Sequence, residues 1–334
     1  MQFTDRSRVE LDWTCARARY HGYEWEGIGL APIETPKELA FGLAMAEQTA
    51  NIKLHGKWSL DAFTGEPKLV AEALLLGYAL IVWPRWTRDY DLVSAEEELP
   101  LELTPWLTYN TRPDTIMRRK RDGTLWYGPE DKTTAWLDSL LNYAGAIQLH
   151  ATALAIEKHK GERVAGCLVQ GLYKGFEKEG KLYHPLIYAY VKEGRAGIVP
   201  DQWSAKWVRG WERAPTSQYP GGMKAWILAQ SPEVIAGVFP NSEPVTIKRP
   251  LVESYLQQVV IREKEIAEWR VTGDHSSEAL AKVFPQSFNQ CDGFSKGRKA
   301  CPWHSLCYSE TARKFPLTLF KKRVAHHPEG EVGE

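Results

Sequence analysis

Arg112-Pro113-Asp114-Thr115-Ile116 and Gly128-Pro129-Glu130-Asp131-Lys132-Thr133-Thr134 read as the two arms of one β-hairpin. Lys120-Arg121-Asp122-Gly123-Thr124 lies between them, and Gly123 suits the left-handed conformation that closes a three-residue loop with a bulge. With Arg121 to Gly123 as that loop, Lys120 faces Thr124 and Asp114 is expected opposite Glu130. Side chains alternate along a strand, so Glu130 and Lys132 share one face and Asp131 points to the other. The Gly128-Pro129 pair interrupts the second arm, and proline inside a strand marks an edge or a bulge.

One face of the hairpin would then present Asp114, Glu130 and Lys132 together. Two carboxylates from different arms suit Mg²⁺ or Mn²⁺, hard ions that take oxygen ligands and keep several waters. Such an ion acidifies a bound water and polarises a phosphoryl oxygen. A neighbouring lysine can orient the attacking water or offset charge developing on the phosphate. The competing reading is a surface hairpin with ordinary solvated charges.

Pro113-Asp114 followed by Glu130-Asp131-Lys132 resembles the signature of the PD-(D/E)xK nucleases, and the trailing Thr133-Thr134 is similar to its RecB-like branch. The resemblance implies metal-dependent DNA cleavage, with Asp114 and Glu130 as metal ligands and Lys132 as the catalytic lysine.

The chain has 334 residues, 43% hydrophobic and 25% charged, a composition suited to a globular protein. Lys+Arg and Asp+Glu both number 42, so contact with a polyanion would depend on local patches. Met117-Arg118-Arg119-Lys120-Arg121, Lys296-Gly297-Arg298-Lys299 and Lys321-Lys322-Arg323 are the candidates, each of which also reads as a solvated face. No apolar run of about 18 residues is evident and the first residues lack the apolar core of an export signal. The apolar segment from Ala73 to Trp83, ended by Pro84, is expected to be a buried helix. With five cysteines, an odd number, the expectation is a protein of the reducing cytoplasm with no membrane partner.

Ahead of the hairpin, Thr35-Pro36-Lys37-Glu38 is a capping box with proline at the first helical position. The spacing predicts Leu39, Leu43, Ala46 and Ala50 inward, with Glu47 on the border of that stripe. Related nucleases place a histidine or glutamate in this helix after a glycine. Here Gly42 is present, Ala46 stands where the histidine is expected, and Glu47 becomes the candidate further metal ligand. Tyr90 to Leu103 and Pro105 to Arg119 read as strands. Beyond Lys132 a helix is expected from Trp136 to Lys158, with Leu140, Ala144, Ile147, Ala151 and Leu154 inward. Gln148 on that helix matches the glutamine that the family uses near DNA, while Thr152 replaces the tyrosine expected four residues on. Val164 to Tyr173 and Tyr183 to Val191 read as further strands, with Cys167 buried. From about 194 to 250 the chain is rich in Trp, Pro and Gly. Trp203, Trp207, Trp211 and Trp226 alternate there with Lys206, Arg209, Arg213 and Lys224, as in a grip on single strands or an insertion packed on the core. A long helix from Pro250 to Trp269 would bury Val252, Tyr255, Leu256, Val259 and Ile266.

Cys291, Cys301 and Cys307 fall within one short stretch, which in an intracellular chain signals metal more than disulfide. Zinc could use these three with His304; a [4Fe–4S] cluster would instead recruit Cys15, since four thiolates hold it. One early cysteine with three late ones is similar to the iron–sulfur RecB-like nucleases, and this favours Cys15, Cys291, Cys301 and Cys307 as cluster ligands. The nine residues between Cys291 and Cys301 exceed the family's usual two.

The expected fold is α/β: a PD-(D/E)xK restriction-endonuclease-like core with a mixed central β-sheet flanked by helices. It would be a single domain over 1–334, with its core near 30–192, a Trp-rich insertion near 194–250, and a C-terminal helix and cysteine clasp near 250–320. The implied activity is a DNA exonuclease acting on ends or single strands with Mg²⁺ or Mn²⁺, in recombination, repair or replication beside a helicase or annealing protein. A catalytically inactive DNA-binding partner of the same fold and a zinc-stabilised nucleic-acid-binding protein are the alternatives.

Overall fold

The computed structural model describes residues 2–33, 37–135, 140, 146–178, 181–192, 195–197, 211–213, 221–287 and 301–324. The fold is mixed α/β, as expected. In chain order the elements used below are β1 (Gln2–Asp5), α1 (Arg6–Thr14), α2 (Ala16–Arg19) and β2 (Leu30–Pro32). They continue with α3 (Lys37–His55), α4 (Gly65–Gly77), α5 (Trp83–Asp89), β3 (Tyr90–Ser94), β4 (Leu99–Thr104) and β5 (Leu107–Thr111). Then follow β6 (Ile116–Arg119), β7 (Leu125–Thr134), α6 (Ile147–Lys160), β8 (Val164–Tyr173) and α7 (Arg249–Thr272). The chain divides into two compact units, one of residues 36–98 and 112–249, the other of 1–35, 99–111 and 250–334.

The unit carrying the hairpin is built on a four-stranded mixed sheet ordered β3-β6-β7-β8. β3, β6 and β7 are antiparallel neighbours, and β7 pairs in parallel with β8. A parallel pair needs a long return path, and α6 lies on that path. Met117, Trp126, Leu168 and Leu172 from the strands pack with Met45, Val70, Leu74, Tyr78 and Trp86 from the helices. Gly65–Asp89 is by length and composition apolar enough to cross a membrane, with hydropathy 1.3, in contrast to the expectation that no such stretch exists. Ala73, Leu74, Leu75, Tyr78 and Val82 within it are core residues, as predicted for the Ala73 to Trp83 segment.

Helix α3 departs from its predicted face. Ala50 is buried and Ala46 half-buried, in line with the prediction, but Leu39 and Leu43 are exposed, whereas Met45, Gln48, Thr49, Ile52 and Lys53 are buried. The polar members of that face are accommodated because other segments supply partners: Ser59 N–H donates to Gln48 at 2.7 Å, and Lys53 finds an acid and a hydroxyl. In α6 Ile147 and Leu154 are half-buried, while Leu149, Ala151, Thr152, Ala153 and Ile156 are buried. Leu140 is buried; Ala144 lies outside the described residues. β8 and buried Cys167 match their expectation.

His184, fully buried in this unit, offers a clean pH test. Its Nε2 lies 2.8 Å from the Tyr173 carbonyl, and Leu186 N–H donates to Nδ1 at 3.1 Å. An imidazole that donates from one nitrogen and accepts at the other must be neutral. Burial pushes it down to about 4, against the raising effect of the Tyr173 carbonyl. The unfolded chain therefore binds a proton that the folded one refuses, and stability falls as pH drops from about 6.5 towards 4, by up to about 3 kcal/mol in total. Denaturant titrations at stepped pH should show this slope in the wild type and lose it in His184→Gln; equal slopes would refute it.

The other unit contains the sheet β1-β5-β4, with β1 parallel and β4 antiparallel to β5, and a short antiparallel pair of β2 with Phe320–Lys322. α7 buries Val252, Tyr255, Leu256, Val259 and Ile266, as its periodicity predicts, and also Glu263. Cys15 separates α1 from α2 in extended backbone and is buried.

Candidate active site and cysteine cluster

The hairpin forms with a register one residue away from the predicted one. Arg119 N–H donates to Thr124 O and Gly123 N–H to Arg119 O, so the turn spans Lys120 to Gly123, and Ile116 faces Tyr127. Regular pairing carried further would set Asp114 against Pro129, pointing away from Glu130. A bulge restores the pairing of function. The register of β7 on β8 shifts between Tyr127 and Glu130, at Gly128-Pro129. One extra residue turns every later side chain to the opposite face. Asp131 N–H then donates to Asp114 Oδ2 at 2.8 Å, which brings the Asp114 carboxylate to Glu130 and Lys132.

Gly128 makes the bulge possible. Its φ is +112°, and an added Cβ would stand 2.2 Å from the Leu168 carbonyl oxygen. Gly128→Ala should therefore cost about 3 kcal/mol through backbone strain and overlap. Thermal denaturation reads this directly; an unchanged Tm would show that the bulge yields.

The site itself is strongly organised. Glu130 is buried, with Lys132 Nζ 2.7 Å from Oε1 and the Tyr127 hydroxyl donating to Oε2 at 2.6 Å. Burial pushes its pKa up, but Lys132, the Tyr127 hydroxyl and Lys53 outweigh this and hold it below the ordinary value. Half-buried Asp114 behaves oppositely: burial and the Glu130 charge raise it to about 7, against Lys132 and Lys53. Two carboxyl groups side by side, one of them reluctant to ionise, form a site that a cation would relieve. Asp131 points to the other face, as predicted, where Lys53 Nζ lies 2.7 Å from Oδ2 and the Tyr78 hydroxyl donates to both oxygens at 3.2 and 3.0 Å. Beside Asp114, Glu96 adopts φ +53°, donates its N–H to Pro113 O and pairs with Arg112 at 3.3 Å.

Of the predicted site residues, Asp114, Glu130 and Lys132 come together. Glu47 does not join them on the face that α3 turns to β7. Gly42 meets Thr133 there, and Ala46, Thr49 and Lys53 continue that face at helical spacing. Glu47, one position round the helix, is exposed and lines a groove with Asn51, His55, Trp58 and Asp61. Gln148 is half-buried in the first turn of α6. Lys53, Tyr78, Thr115 and Tyr127 were not anticipated; a lysine seven residues beyond Ala46 was the available signal. The basic run before the turn is internally neutralised: Arg118 pairs with Glu162, Arg119 and Arg121 with Asp122, and Lys120 with Asp91. Trp226 packs on the core and donates to Leu186 O at 3.0 Å; Lys224 is exposed. Trp203, Trp207, Lys206, Arg209 and the 296–299 patch lie outside the described residues, as do the side chains of Trp211 and Arg213.

In the other unit, Cys15 and Cys301 share one apolar cluster with Trp303, Leu306 and Phe320. Ser287 N–H approaches Cys15 Sγ at 3.5 Å, and Cys307 Sγ lies 3.8 Å from His21 Nε2. His304 is exposed and turned onto Tyr308, with ring centroids 4.5 Å apart. Cys291 lies outside the described residues. Among the described residues, no three His, Cys, Asp or Glu side chains gather closely enough to hold a metal ion. No protein-family model matches the chain, and neither does any curated protein.

Proposed function

We propose that this protein is a divalent-metal-dependent DNA nuclease with a PD-(D/E)xK core of the RecB-like branch, acting as an exonuclease. The observation that carries the reading is the bulge that returns Asp114 to the Glu130–Lys132 face and fixes it through the Asp131 amide. Two carboxylates, one in the bend before β6 and one on β7, suit Mg²⁺ or Mn²⁺, hard ions that take oxygen ligands and keep several waters of their own. A bound ion would lower the pKa of the attacking water and stabilise charge on the phosphate. Asp114 and Glu130 would hold it. Lys132, half-buried and paired with Glu130, would orient the water or stabilise the phosphate charge, and Gln148 would support the DNA strand. Glu47 remains a candidate only for contacts in its own groove.

Cys15, Cys301 and Cys307 come from both ends of the chain to one unit without converging on a common point. With Cys291 they are the proposed ligands of a [4Fe–4S] cluster, supported by the chemistry of soft thiolate donors and by the apolar cluster that Cys15 and Cys301 share. Its role would be to clasp the termini, while DNA is the substrate and a helicase or annealing protein the working partner. The exposed position of His304 weighs against the local zinc alternative.

The test is anaerobic purification with a visible spectrum, then digestion of end-labelled single- and double-stranded DNA with Mn²⁺. A brown protein that shortens DNA from its ends supports the reading. A colourless, zinc-loaded protein that binds DNA without cutting it would overturn it in favour of an inactive binding partner.

A further inference from the structure

We propose that Lys53 is a positioning residue for the cation site, acting through Asp131 and Thr115 without touching the ion; this rests on reading Asp114 and Glu130 as cation ligands. Lys53 is buried on α3, on the opposite side of β7 from Glu130 and Lys132. Its ammonium sits 2.7 Å from Asp131 Oδ2 and donates to Thr115 Oγ1 at 2.7 Å. Those partners are the residues that directly follow Glu130 and Asp114. One buried charge thus grips both ligand-bearing segments from behind.

The contacts continue to the ligands themselves. Asp131 passes its position on through its N–H to Asp114 Oδ2, at 2.8 Å. Thr115 passes its own on by donating from Oγ1 to Pro129 O at 3.1 Å, across the bulge. Tyr78 completes the support: its hydroxyl donates to both Asp131 oxygens. A π-helical turn, Tyr78–Val82, begins at that residue, a local rewinding of the helix that recurs where a side chain must be aimed.

Location separates positioning from plain stabilisation. The last backbone link between the two segments is Gly128 N–H to Thr115 O at 2.8 Å; from Pro129 onward side chains set the distance between the Asp114 and Glu130 segments. Lys53, Asp131 and Thr115 take over that task. Outer partners of metal ligands typically change metal affinity by about 10–100-fold when removed.

The experiment is Mn²⁺ titration of the full chain, read by the electron paramagnetic resonance signal of free Mn²⁺. It compares wild type, Asp114→Asn, Lys53→Met, Tyr78→Phe and Leu74→Ala, the last a buried core control on α4. Lys53→Met should bind Mn²⁺ about 10–100-fold more weakly, and Tyr78→Phe more weakly to a smaller degree. Leu74→Ala should lower Tm while keeping wild-type affinity. Wild-type affinity in folded Lys53→Met overturns the proposal; if that variant does not fold, wild-type affinity in Tyr78→Phe overturns it instead. An equal loss in Leu74→Ala also overturns it, since general loosening would then suffice. A wild-type protein that binds no Mn²⁺, or binds it unaffected by Asp114→Asn, removes the cation site itself and this inference with it.

Discussion

Asp114→Asn should lower Mn²⁺-dependent DNA cleavage by roughly 10³-fold, equivalent to about 4 kcal/mol of transition-state stabilisation, and should leave the protein at least as stable at pH 8. Both halves follow from one geometry. The amide oxygen of asparagine can still accept the Asp131 N–H, so the bulge keeps its link. What is lost is a negative charge beside Glu130, and with it one of two oxygen anions for a divalent ion. The stability half has a definite sign. Burial and Glu130 raise Asp114 to about 7, so its stabilising protonated form is fully present below the ordinary Asp value near 3.8 and is lost as pH rises through 7. At pH 8 the wild type carries the full repulsion, and the amide relieves it. Thermal melts at pH 8 with parallel cleavage assays decide the matter. A variant that cuts DNA at the wild-type rate removes Asp114 from the chemistry. One that loses Tm together with activity makes it a structural residue.

Arg19→Met is the second large effect, in the unit that carries Cys15. Arg19 is buried with Glu263, to which Nη1 and Nη2 donate at 2.7 and 2.8 Å. Thr4 Oγ1 donates to the same carboxylate at 2.6 Å, and buried Glu24 pairs with Arg270 at 2.7 Å. Methionine fills similar space but takes from buried Glu263 the guanidinium hydrogen-bonded to it, and from Glu24 a second contact at 3.4 Å. Breaking one side of a buried pair costs about 3–5 kcal/mol, or roughly 10 °C in Tm for a unit of this size. Arg19→Met with Glu263→Met should recover most of that loss, because apolar groups of similar volume replace a buried pair at little net cost. Denaturation of single and double variants measures both. A loss below about 1 kcal/mol in the single variant would mean that water reaches Glu263.

Much of this architecture was legible in the residues. The apolar run of β8 is legible because nearly the whole strand is buried, and the stripe Val252, Tyr255, Leu256, Val259, Ile266 because burial on one side of a helix imposes a period on apolar residues. The shared face of Glu130 and Lys132, with Asp131 opposite, follows from strand alternation alone and is present as expected. Helix α3 was misread for a physical reason. Its leucines Leu39 and Leu43 face outward, while Gln48 and Lys53 are buried against partners from other segments. A periodicity argument assigns polar residues to solvent, and only partners distant in the chain can reverse that.

Sequence by itself determined the chemical inventory: the carboxylates, the lysine that follows Glu130, the glycine-proline interruption and the soft donors at both ends of the chain. Tertiary structure alone decided the register. A turn of Lys120 to Gly123 displaces the hairpin by one residue, and the bulge at Gly128-Pro129 turns Glu130 and Lys132 back towards Asp114. It also decided that Lys53, and not Glu47, stands behind the site. The reason is the same in both cases. A one-residue slip or a rotation of about 100° along a helix leaves composition and spacing unchanged, and only contacts between distant segments distinguish the outcomes.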